Sequence, residues 1–182
     1  MFIFEIFTVF FIGLICGSFA NVCIARLPKD KTIIFGRSNC PNCKKKISWY
    51  DNIPLFSFIL LGGKCRKCNK KISVNYFFVE LISGIFFITI FLYTSNYFDF
   101  VLINLILILF LIIFLIDLKH FVIPDILNFS LIFLGLLKNF IPIKNLNFNY
   151  NIEQSIIGGI VGYLTIWIII FLYKKLKNLD AM

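Results

Sequence analysis

Charge is scarce in this chain. Only 15% of its 182 residues are Asp, Glu, Lys or Arg, against about 25% in soluble domains. Together with 60% hydrophobic residues and a mean hydropathy of +0.93, that shortage excludes an ordinary soluble domain. Twenty-four Phe are more apolar bulk than one small soluble core can hide. The same numbers exclude disorder, because disordered chains are poor in hydrophobic residues. Period-two alternation is missing from every long apolar run, which leaves helices rather than a membrane barrel. Basic residues are missing from Met1–Phe4, and Glu5 stands where a basic n-region belongs. The first apolar run is therefore not expected to be a secretory signal peptide. Part of this protein's solvent is lipid.

What charge there is lies in one place. Twelve of the 18 basic residues fall between Ala25 and Ser73, opposed there only by Asp30 and Asp51. That segment carries +10, and the rest of the chain carries −1. A membrane helix needs about 20 apolar residues. The sequence predicts about five: Phe2–Ile24, Tyr76–Thr94, Phe100–Ile116, Phe121–Ile141 and Ile156–Tyr173. The fold class expected is an all-α polytopic membrane protein. The positive-inside rule places the basic loop in the cytoplasm. Asp117–His120 and Lys174–Lys177 then face inward, with Asn96–Asp99 and Pro142–Asn151 outside; Lys138 and Lys144 count against this. Gly13/Gly17 and Gly158/Gly162 have the spacing of close helix contacts, although Gly is also common in membrane helices, and both readings stay open.

The basic loop holds four of the six cysteines as two C-x-x-C pairs, Cys40/Cys43 and Cys65/Cys68. Each pair begins the repeated pattern C-x-x-C-x-K-K-I-S. Two such knuckles supply the four soft ligands of a tetrahedral zinc site. Disulfides are the competing reading, disfavoured in a reducing cytoplasm. A redox C-x-x-C would need a βαβ context that is absent. Cys16 and Cys23 lie in the first helix and read as packing residues. The apolar stretch Ile53–Leu61 is too short to span a bilayer and is expected on the membrane surface or against the helices.

Ionisable residues in membrane segments are costly and are functional candidates by default. Glu5, Asp99 and Glu153 are expected at wet outer boundaries. Glu80 lies a turn inside the second helix and needs a polar partner, from the basic loop or another helix. Asp117 and Asp125 flank the turn between the third and fourth spans. Pro124 is expected in the first turn of the fourth. His120 reads as an interfacial side chain rather than a base. Two carboxylates at a lipid boundary could share a proton, so that one activates water and the other protonates a carbonyl.

These residues resemble a known family, the type IV prepilin peptidases. Gly17-Ser-Phe-Ala-Asn21-Val with Arg26-Leu-Pro28 is similar to its N-terminal signature. Cys40-Pro-Asn-Cys43, Trp49-Tyr-Asp51-Asn-Ile-Pro54, Ser57, Gly63-Lys-Cys65-Arg-Lys-Cys68, Ile72-Ser73, Tyr76 and Val79-Glu80 follow its zinc-loop pattern in order. Asp117 with Ile123-Pro124-Asp125 resembles its first catalytic-aspartate motif. The match runs over most of residues 13–128. The resemblance implies an intramembrane aspartic endopeptidase in the bacterial inner membrane, cleaving the basic leader of prepilins and pseudopilins at the cytoplasmic face. It also implies N-methylation of the new N-terminus with S-adenosylmethionine. Asp117 would be one catalytic carboxylate, Asp125 a supporting neighbour, and Cys40, Cys43, Cys65 and Cys68 the zinc ligands.

One departure shapes the expectation. The family's second catalytic Asp lies in a Gly-x-Gly-Asp motif, which occurs nowhere in these 182 residues. The chain is therefore expected to comprise an N-terminal region (1–95, with the cysteine loop at 25–73) and a partial peptidase domain (96–182) cut before that motif. Prepilins and membrane lipid are the expected partners, and nucleic acid is not expected. The alternative reading is a membrane-anchored zinc module that binds anionic lipid or nucleic acid through the +10 loop.

Overall fold

The computed structural model describes residues 2–33, 38–40, 42–140 and 152–177, without the side chains of 138–140, 152, 170 and 172–177. Six α-helices are present among them: α1 (Phe2–Arg26), α2 (Phe56–Leu60), α3 (Asn75–Tyr93), α4 (Tyr97–His120), α5 (Asp125–Phe140) and α6 (Ile152–Lys177). Two 3-10 turns cover Leu27–Lys29 and Trp49–Asn52. No strand forms among the described residues beyond two isolated antiparallel bridges in the cysteine loop. The all-helical membrane fold expected from the sequence is what forms.

At 1.5 Å per residue, α1, α3 and α4 run about 37, 28 and 36 Å, which matches a hydrocarbon core of about 30 Å. These three are long and apolar enough to cross a membrane. The other two apolar segments are shorter over their described side chains, Asp125–Leu137 and Glu153–Ile169. Phe7, Phe110 and Phe114 stand out from the helices with more than half of their surface exposed, as lipid-facing side chains should.

The chain divides into two compact units, residues 1–132 and 133–182. In the first, α1 packs along α3, and α4 lies against both. Glycine makes the α1–α3 approach possible. A Cβ on Gly13 would stand 2.8 Å from the Gly84 Cα, and one on Gly17 would stand 2.8 Å from the Glu80 Cα. Neither backbone could give way, so the first G-x-x-x-G is a contact seam. Ala20, Ile24, Val79, Ile112, Ile116 and Leu127 continue the core below it. Cys23 is buried there and Cys16 packs at its edge, as packing residues would. In the second unit Gly158 and Gly162 have no such close neighbour among the described residues.

Several boundaries differ from expectation. α4 begins at Tyr97, and Asp99 in its first turn is only 1% exposed, not at a wet boundary. The Thr94–Asn96 connection is short enough to fold that turn into the bundle. Neither Asp99 oxygen meets a hydrogen-bond partner among the described residues. α4 also runs past Ile116, so Asp117 sits in its last turn. Phe121 ends it in a left-handed conformation (φ 53°), its N–H donating to the Asp117 carbonyl at 2.9 Å. α5 therefore starts at Asp125 rather than Phe121. Pro124 precedes it and accepts from the Leu127 N–H at 3.0 Å, instead of lying inside the first turn. The Pro142–Asn151 connection and Lys144 lie outside the described residues, as do the Lys138 and Lys174–Lys177 side chains.

Candidate functional site

The two cysteine knuckles fold alike because their sequences are alike. In the first, the Cys40 N–H donates to the Lys45 carbonyl and the Lys44 N–H to the Cys40 carbonyl, at 3.0 and 2.9 Å. In the second, the Cys65 N–H donates to Lys70 and the Asn69 N–H to Cys65, at the same two distances. Lys44 and Asn69, each following a second cysteine, share a left-handed backbone (φ 55° and 53°). The bridges Asn39–Lys46 and Lys64–Lys71 close each loop at equivalent positions. The knuckles are a structural duplication, not only a repeated string.

They face one another. The four sulfurs of Cys40, Cys43, Cys65 and Cys68 lie within 4.8 Å of each other, and Cys40 Sγ is 3.8 Å from Cys68 Sγ. Sulfurs about 2.3 Å from a tetrahedral ion stand about 3.8 Å apart, so the cluster could hold a metal with little movement. All six cysteines are free thiols. The Cys65 thiol is held down at about 6 by the backbone N–H groups of Lys67 and Cys68. Cys68 is pushed up to about 11: the Lys70 N–H favours its thiolate but is outweighed by desolvation and by the Cys65, Cys40 and Cys43 thiols.

Three ties fasten this loop to the helices and to itself. Arg66 grips Asp51 side-on, donating from Nε and Nη2 with contacts of 2.7 to 3.0 Å, and lies 5.5 Å from the Tyr50 ring centroid. The Asn21 amide donates to the Tyr76 carbonyl at 3.0 Å, joining the C-terminal part of α1 to the start of α3. Glu80 finds its partners in the Leu55 N–H at 2.9 Å and the Ser18 hydroxyl, not in a lysine or arginine. Leu55 itself is strained, at φ 58° and ψ −49°, and its neighbours close a tight turn through the Phe56 N–H and Pro54 carbonyl at 2.6 Å. Spacing gave no sign of these ties, since each joins residues far apart in the chain or depends on an unusual backbone angle. The Ile53–Leu61 stretch divides its labour. Phe58 packs on Phe77 with ring centroids 5.5 Å apart, while Phe56, Ile59 and Leu60 remain exposed.

Asp117 and Asp125 form a different kind of site. Both are exposed, one in the last turn of α4 and one opening α5, and His120 between them is exposed too. The turn is held from below by Leu127, buried in the same core as Ile116. The structure brings the two carboxylates to one end of the bundle without enclosing either. Trp49 and Tyr50 stand exposed in edge-to-face contact, with ring centroids 5.7 Å apart.

Comparison with known proteins adds a family to this geometry. The bacterial Peptidase A24 N-terminal domain matches residues 11–94, and the type IV leader peptidase family matches residues 104–177. A "prepilin leader peptidase/N-methyltransferase" of Vibrio cholerae serotype O1 is 41% identical over 180 residues, covering 94% of this chain and 69% of the relative. One so named from Myxococcus xanthus is 48% identical over 85 residues, covering 47% and 25%. One from Klebsiella pneumoniae is 33% identical over 183 residues, covering 95% and 76%. No solved structure matches the chain significantly.

Proposed function

We infer the activity from a premise that these matches establish: the chain belongs to the type IV leader peptidase family. It acts in prepilin processing as an intramembrane aspartic endopeptidase, removing the basic leader of prepilins or pseudopilins at the cytoplasmic face of the bacterial inner membrane. The observation that carries this reading is the peptidase-family match over residues 104–177, which contains Asp117 and Asp125. Residues 1–95 form the region that holds the cysteine loop, and 96–182 form the peptidase part.

Asp117 supplies one carboxylate of the catalytic pair. In such a pair one ionised carboxylate takes a proton from water while the other, protonated, donates to the scissile carbonyl. The second partner cannot be Asp125 by analogy, because the family pattern has a residue there in addition to its pair. Asp125 supports the turn: its charge opens α5, where the helix dipole favours an acid. Gly-x-Gly-Asp does not occur in these 182 residues, so Asp117 alone makes half of a dyad.

Cys40, Cys43, Cys65 and Cys68 hold one zinc ion in the cytoplasmic loop, where it fixes the knuckles and does no chemistry. The N-methyltransferase in the relatives' name supports a second step, transfer of a methyl group from S-adenosylmethionine to the new N-terminus.

Prepilin cleavage by membranes carrying the chain tests the dyad. Little cleavage is expected from these 182 residues alone. Joining a segment that bears Gly-x-Gly-Asp should restore it, and Asp117→Asn should abolish it again. Efficient cleavage that survives Asp117→Asn would overturn the assignment.

A further inference from the structure

Beneath the two knuckles lies a cavity of about 530 Å³. Its walls come from the inner end of α1, both knuckles, the first turn of α3 and the last turn of α4, all within the first unit. Seven cationic side chains line it: Arg26, Lys45, Lys46, Arg66, Lys67, Lys71 and Lys119. Asp51 is the single carboxylate among the described wall residues, and Arg66 already occupies it at 2.7 Å. Arg26 donates to the neutral Thr32 carbonyl at 3.0 Å and keeps its charge, and among the described residues the five lysines form no ion pair. They converge from three separate segments, so this is not one basic run on a solvated face. Lys44, in the same run as Lys45 and Lys46, is not part of the wall.

Positive charge gathered in a concavity repels itself and focuses its field inward. A zinc ion held by four thiolates would carry −2 and offset only part of it. Ser18, Asn21, Ser48 and Tyr76 add neutral polar groups, while Val22, Ile47 and Leu61 make the remainder apolar. A volume of this size suits a small molecule or a headgroup. A sulfonium cofactor is a cation at its reacting centre and would meet repulsion here. An anion would not.

We propose that this cavity is a binding site for a phosphate-bearing anion, held by Lys45, Lys46, Lys67, Lys71 and Lys119 beside the inner ends of α1, α3 and α4. The inner ends of membrane helices meet the lipid headgroup layer, where basic pockets take anionic headgroups. A phospholipid phosphodiester and free phosphate offer the same chemistry to lysine. The site is separate from the peptidase carboxylates and does not depend on peptidase activity.

The experiment uses the whole chain with its metal, in nanodiscs of phosphatidylcholine with or without phosphatidylglycerol, and in detergent with inorganic phosphate. Native mass spectrometry counts retained lipid, and titration measures phosphate. One variant changes the cavity, Lys45→Gln/Lys46→Gln/Lys71→Gln; a control removes equal charge outside it, Lys29→Gln/Lys31→Gln/Lys70→Gln. Metal content and protease resistance of the loop establish that both are folded. The cavity variant should weaken anion binding about tenfold or more, and the control should leave it near the parent value. Retained phosphatidylglycerol that millimolar phosphate does not displace identifies a lipid as the source; phosphate binding without lipid retention identifies the free anion. Should the triple variant misfold, Lys119→Gln on α4, outside the loop, should weaken binding about threefold. Equal losses in the cavity and control variants, or no binding of either anion by the parent chain, would refute the site.

Discussion

The cysteine loop and the Asp117–Asp125 turn were both legible as candidate sites, yet they are built in opposite ways. Each knuckle closes on itself through backbone hydrogen bonds within about six residues, and the two halves bring four sulfurs within 4.8 Å of one another. The turn positions its carboxylates through a helix end and one buried leucine, and leaves both exposed. A metal site can be completed by two short copies of one motif. A carboxylate pair needs a second residue delivered by another part of a fold. On the proposed assignment, the loop would carry a whole site and the turn half of one.

The sharpest way to break that contrast is to damage one knuckle. Cys43→Ser or Cys68→Ser should abolish stable metal binding, and protease sensitivity should spread through residues 38–73 rather than stay within one knuckle. Structural zinc in such modules contributes about 10–16 kcal/mol of folding free energy, so the effect should be all or none. Loss confined to the mutated half would mean that the knuckles are independent. At the turn, Asp117→Asn in a cleavage-competent context should lower the rate about 10²–10⁴-fold with metal content unchanged. Parallel loss of metal would make the two regions one site.

Smaller effects test the frame between them. Gly17→Leu places a side chain against the Glu80 backbone, where there is no room. It should lower stability by about 1–3 kcal/mol, seen as a lower thermal midpoint in detergent. Glu80→Leu leaves the Leu55 N–H without its acceptor, at about 1–3 kcal/mol. Loosening should begin at Trp49–Leu60 on hydrogen exchange, before the knuckles. Arg66→Ala removes an exposed grip on Asp51 and should cost under about 1 kcal/mol. A larger loss from Arg66→Ala than from Glu80→Leu would reverse the order of these ties.

The sequence was informative where physics is local. Cysteine spacing, the K-K-I-S repeat and three long apolar runs each fix their element with near neighbours alone. It was silent where partners come from afar. Asp99 looked like a loop acid because four-residue windows cannot show which face of α4 turns inward. Leu55 gives no hint that it adopts a positive φ, since nothing about leucine favours it. Glu80 announced its need for a partner, but a backbone N–H in another segment has no sequence signature. α4 outran its apolar core because Asp117, Lys119 and His120 are tolerated in a last turn that has left the hydrocarbon, until Phe121 and Pro124 stop it. The cavity lysines were counted as topology, and only their convergence from three segments marks them as something more.

The site proposed for the loop is a complete tetrahedron of four thiolates. X-ray absorption at the zinc edge, on the chain purified without added metal, tests it most directly. One zinc per chain with four sulfur neighbours at about 2.3 Å is the expected result. Absence of zinc, or a zinc bound mainly by oxygen and nitrogen, would contradict it.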